Sequence, residues 1–92
     1  MENNIKHPDK VVGYDGSLDQ LAQAVGNMTY DQVALFFALL SQDISRQAEA
    51  DLSRGRRKLS KALSDVAQNL DQSRKSMALV WKICQPHMPA KS

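Results

Sequence analysis

Cys84 and His87, in "CQPH", are the two residues whose types and spacing come nearest to metal chemistry. A thiolate and an imidazole three residues apart make half of a zinc site, and zinc takes about four such ligands. His7 is the only other histidine, near the far end of the sequence. The same pair could act as a nucleophile with its base. Yet Cys84 falls on an apolar helical stripe, where a thiol is poorly reachable and not activated. Unpaired cysteine is also among the most buried residue types. The expectation is therefore a small buried group on a helix seam, with no metal and no cofactor. The carboxylates are scattered, with no pair in an acid–base arrangement. There is no glycine-rich phosphate loop. The chain reads as a non-enzyme.

The second candidate is a basic run, "RGRRKLSK", carrying Arg54, Arg56, Arg57, Lys58 and Lys61 around Gly55. If residues 54–61 are helical, Arg54, Arg57, Lys58 and Lys61 share one face, and Arg56 points to its edge. That face lies opposite the stripe Leu59, Leu63, Val66, so it meets solvent or a partner. Three readings compete. The plainest is a solvated helix start, with local pairing to Asp51 and Asp65. A one-sided basic cluster is also the footprint of phosphate contact. Docking on an acidic protein surface is the third. The nucleic-acid reading lacks a recognisable motif. "AVGNMTYDQVALFF" has a faint helix-turn-helix look, but its second helix is acidic and strongly apolar, which suits a major groove badly. Aromatics interleaved with basic residues, as single-strand binders use, are absent.

The elements that position these residues are helices. Residues 1–16 read as a flexible N-terminal arm, punctuated by Pro8, Gly13 and Gly16. "SLDQ" is a capping box that starts a helix over about 17–25, and Gly26 and Asn27 tolerate the left-handed turn that would end it. "TYDQ" reads as a second box, with Thr29 as cap, opening a helix over about 29–53. Its stripe is Val33, Phe37, Leu40, Ile44, Ala48 and Leu52, while Leu35 and Leu39 fall on the opposite side. Its first turns are thus apolar nearly all round, as enclosed helices are. A third helix spans about 56–84. Leu59, Leu63, Val66, Leu70, Ser73, Met77, Val80 and Cys84 form a heptad seam, interrupted only by Ser73. Ala78, Leu79 and Trp81 add apolar residues off that seam. Residues 86–92 are a C-terminal tail, set off by Pro86.

Gly55 is the hinge on which the architecture turns. A mid-helix glycine costs only about 1 kcal/mol, so one continuous helix from about 29 to 84 is an alternative. An antiparallel hairpin is favoured instead. It sets the two all-round apolar segments side by side and brings Asp43, Glu49 and Asp51 toward the basic turn. The short first helix would then cover the apolar ends, giving an all-α three-helix bundle. Self-association of hairpins is the natural extension. The apolar interaction surface expected at that end comprises Leu35, Phe36, Leu39, Leu79 and Trp81. Trp81 has a blander role open to it, capping the local core.

Composition bounds the rest. A chain of 92 residues is one domain with a small core. Its single cysteine allows no internal disulfide and suits a reducing compartment. No secretory leader is evident, and the longest apolar run, "VALFFALL", is too short for the roughly 20 residues that span a bilayer. A cytoplasmic location without membrane contact is expected. The net charge of +2 is unevenly placed, with −2 over residues 1–28, −3 over 29–52 and +7 over 53–92. Such asymmetry fits a nucleic-acid partner, or two halves that complement each other. The reading is a small helical protein–protein interaction module, an adaptor or regulator that binds itself and another protein. The alternative is a weak, sequence-tolerant nucleic-acid binder acting through its basic face.

Overall fold

The structure, a computed structural model, describes residues 7–87. Residues 1–6 of the expected arm and 88–92 of the expected tail lie outside them. Three α-helices follow in order: α1 (Leu18–Gly26), α2 (Tyr30–Ser53) and α3 (Arg57–Cys84). A single 3-10 turn, Gln85–His87, continues α3. Pro86 is accommodated inside that turn.

Helix α1 starts as its sequence requires. The Ser17 hydroxyl accepts from the Gln20 amide at 3.0 Å, and the Gln20 side-chain oxygen accepts from the Ser17 amide at 2.8 Å. Its end differs from expectation. Asn27 caps it in the right-handed region, and Gly26 does not take positive φ. The second box does not form either. Thr29 is the N-cap of α2, but its hydroxyl makes no cap hydrogen bond. That hydroxyl instead bonds the Asp31 carboxyl and helps hold it below the usual carboxylate range.

The chain reverses between α2 and α3, so the continuous helix is not formed. Gly55 has φ +80°. Its amide donates to the Leu52 carbonyl at 2.9 Å, and the Arg56 amide reaches back to the Asp51 carbonyl at 2.9 Å. These two bonds are the Schellman pattern, which satisfies carbonyls left over at a helix end and needs a left-handed residue. A Cβ at Gly55 would meet nothing within 4 Å. Glycine is required there by backbone conformation and not by space.

Helices α2 and α3 pack antiparallel along their length, and this is the one extensive helix–helix contact among the described residues. Small side chains carry it. Ala34, Ala48, Ser60 and Ala67 are buried on the line of contact, and the Ser41 hydroxyl donates to the Ala67 carbonyl at 2.8 Å. On α3 the line runs Ser60, Ala67, Arg74, Trp81, in steps of seven. It is displaced to one side of the predicted seam. Leu63, Leu70, Met77 and Cys84 serve both lines and are half-buried. Leu59, Val66 and Val80 serve only the outer one and stay 47%, 46% and 39% exposed.

The expected three-helix core is not built. Helix α1 has no more than marginal contact with either hairpin helix, and Leu18 is exposed. The molecule is elongated, about 50 Å long, with a radius of gyration of 16.4 Å, against about 12 Å for a compact chain of this size.

Candidate functional interface: two faces and a turn

Two helices side by side make one layer with two broad faces. One face is polar. Ser41, Gln42 and Ser45 of α2 line a groove of about 400 Å³ with Ser64, Gln68 and Asp71 of α3. Asp71 accepts from Arg74 at 2.8 Å, and that hydrogen bond holds its carboxyl below the usual range and raises the guanidinium.

The opposite face is apolar. Leu59, Leu63, Val66, Leu70, Met77 and Val80 lie across the contact line from the groove on α3, and Phe36 and Leu40 do so on α2. A shallow depression of about 370 Å³ opens at its far end, lined by Phe37, Ser73, Ser76, Met77 and Val80. Among the described residues no large side chain is fully buried, and the buried apolar set is Val33 and three alanines. Phe37, Ile44, Leu63, Leu70, Met77 and Trp81 are half-buried beside this set, while Phe36, Leu40, Leu59, Val66 and Val80 look outward from the hairpin.

The five residues expected to form one apolar surface do gather at the open end of the hairpin, but they do not share a side. Phe36 belongs to the apolar face. Leu35 and Leu39 project from the outer side of α2, and Leu79 lies on the far side of α3; all three are exposed. Trp81 is half-buried on the contact line, as the alternative role of capping the local core has it. The reason is the shift of the contact line, which turns Trp81 inward and Leu59, Val66 and Val80 outward. Sequence reasoning missed Leu40, Leu59, Val66 and Val80 as surface residues. The signal that locates them is weak: serines and alanines at heptad spacing beside the stronger leucine seam.

At the turn, the basic residues divide. Arg54 is the C-cap of α2, Arg56 the N-cap of α3, and Arg57 and Lys58 open α3. Arg56 pairs with the buried Asp51 carboxylate at 3.1 Å, and Lys61 with Asp65 at 2.8 Å. Of the acidic residues expected near the turn, Asp51 reaches it, whereas Asp43 pairs with Arg46 of its own helix at 2.6 Å. Among the described residues, Arg54, Arg57 and Lys58 have no ion-pair partner. Lys61 is therefore partly neutralised within the expected face of four.

Cys84 is half-buried and not enclosed as expected. His7 lines a groove with Arg54 and Arg56 at the turn, at the opposite end of the hairpin from Cys84 and His87. Among the described residues, no three His, Cys, Asp or Glu side chains come together as metal ligands. No helix among them is long and apolar enough to cross a membrane.

Comparison with known proteins yields no matching family, no similar curated protein and no similar solved structure.

Proposed function

We propose that this chain is a small helical protein–protein interaction module, an adaptor or regulator that acts by binding and not by turnover. The observation that carries the reading is the apolar broad face, where Phe36, Leu40, Leu59, Val66 and Val80 are exposed together while the hairpin closes on alanine and serine. Contiguous apolar surface on a small protein marks an interaction site, and a hairpin with so little of its own core gains stability from whatever covers it. Its lone cysteine suits a reducing, cytoplasmic setting. The test is a photo-crosslinking residue placed at Leu40 or, as control, at the exposed Gln68 of the polar face, in the native cell. Protein adducts from position 40, whether to a copy or to another protein, and few from position 68 are the expected result. Equal yields from both, or none from 40, would sink the reading.

A second reading has its own support in Arg54, Arg57 and Lys58, which cluster at the turn without partners among the described residues. Such a cluster suits phosphate, and the reading is a weak nucleic-acid binder. Its affinity would fall steeply between 50 and 200 mM salt. Binding absent at the lower salt, or indifferent to salt, removes it.

A further inference from the structure

We infer that the apolar face is covered by a second copy of this chain, with the two hairpins stacked antiparallel as a four-helix bundle. The inference rests on the interaction-module reading and names the occupant of that same face.

Three observations support it: the first shows that there is surface to cover, and the other two favour a copy over an unrelated partner. The first is area. The chain exposes 7314 Å², whereas a compact monomer of 92 residues exposes about 5,300 Å². That excess of about 2,000 Å² is shared between the hairpin and the segments outside it, and a stable interface hides roughly 800 Å² per partner.

The second is self-complementarity of the exposed seam. A two-fold axis beside Asp71 and Gln72, lying in the interface and across the helices, sets α3 against α3 of the copy in the opposite direction. Leu59 then faces Cys84 of the copy, Leu63 faces Val80, Val66 faces Met77, and Leu70 faces Ser73. All eight seam positions find a partner in one register, and the polar break at Ser73 falls next to the axis. Antiparallel helices whose seams interdigitate in this way are the ordinary build of a four-helix bundle.

The third is charge. Stacking the hairpins in parallel would place at one end Arg54, Arg57 and Lys58 of both copies, which have no ion-pair partner among the described residues. Antiparallel stacking separates the two turns by roughly 40 Å at 1.5 Å per residue. That exceeds the screening length of about 8 Å at physiological salt several-fold.

The test uses the native cysteine. In Leu59→Cys, positions 59 and 84 of one α3 are roughly 37 Å apart along the helix, too far to bridge within a chain. Oxidation or a short thiol–thiol cross-linker should give a covalent dimer in which peptide mapping finds position 59 of one chain joined to Cys84 of the other. The unaltered chain should sediment as a dimer at tens of micromolar. A second measurement covers the case in which Leu59→Cys folds poorly. A spin label at position 58, in a Cys84→Ser background, should report a separation of roughly 40 Å between copies, against about 20 Å for parallel hairpins. A monomer at every concentration overturns the inference, and so does a dimer with 59–59 links or the short label distance. A monomer whose position 40 still captures another protein in the cell would leave the module reading standing. A monomer with no adducts there would end both.

Discussion

The two broad faces of the hairpin are made by the same two helices, yet they differ in kind. On the polar face, serine, glutamine and Asp71 line a groove open to water, and each polar group can be hydrated without a partner. On the apolar face, leucine, valine and phenylalanine side chains meet water with nothing over them. Between the faces runs a contact line of alanine and serine, narrow enough for the Ser41 hydroxyl to reach the Ala67 carbonyl. The lesson is that a hairpin can close along a line of small residues while several of its large ones stay exposed. The helices approach closely because little side chain stands between them, and close approach pushes the bulky neighbours out to one side.

The comparison breaks first, and hardest, if the faces respond alike to charge. Leu70→Asp, at a half-buried position on the apolar side, should cost at least about 2 kcal/mol in urea unfolding if a second copy covers that face, since the carboxylate then enters a site that excludes water. Gln68→Glu, two residues away on the polar face, should stay within about 0.5 kcal/mol. Equal costs would mean that the apolar face is not an interior in solution.

A slightly smaller effect probes the line between the faces. Ala67→Leu should destabilise by about 1–3 kcal/mol, because added methylenes push apart helices already in close contact. Ala62→Leu, on the open side of α3, should be neutral or mildly stabilising by the same unfolding measurement. A tolerated Ala67→Leu would show that the contact line is loosely packed.

The turn comes next. Gly55→Ala should cost about 1–2 kcal/mol from left-handed backbone alone, because a Cβ there meets no neighbour. Gly55→Asn should cost less, since asparagine visits that region more readily. If the alanine variant unfolds no more easily, the chain can run straight at Gly55 and the pairing of the faces is lost.

The smallest effect is acid. Hydrogen bonds from Arg46 and Arg74 hold the carboxyls of Asp43 and Asp71 below the ordinary 3.8. These groups bind protons less readily folded than unfolded, so their contribution is complete above that ordinary value. It is lost as pH falls through the lower folded values. Thermal midpoints should be flat from pH 7 to pH 5 and should decline slightly below about pH 4. A decline already at pH 6 would point to a different group.

Much of the hairpin was legible before any coordinates. Gly55 between two apolar-periodic segments, and "SLDQ" at Ser17, are local signals, and local backbone conformation answers to local chemistry. The candidate face is only half legible in the sequence. Phe36 is exposed, whereas Trp81, for which the pattern allows either an open surface or a cap on the local core, is half-buried. Leu40, Leu59, Val66 and Val80 were counted toward an apolar seam with no indication of which neighbour it would meet. The covering role given to α1 failed because an amphipathic pattern states that a face seeks cover and does not say where.

By itself, then, the sequence determined three helical segments, a glycine at which the chain could either reverse or run on, and a heptad of large apolar residues along α3. Those follow from periodicity, capping and the φ a glycine permits, all of which act within a few residues. Only the tertiary structure decided that the chain reverses at Gly55, and which of two adjacent stripes closes the hairpin. Ser60, Ala67 and their neighbours carry almost no hydropathy signal, and their advantage is the close approach they allow once a second helix is present. That advantage exists only between helices. It leaves Leu59, Val66 and Val80 facing outward.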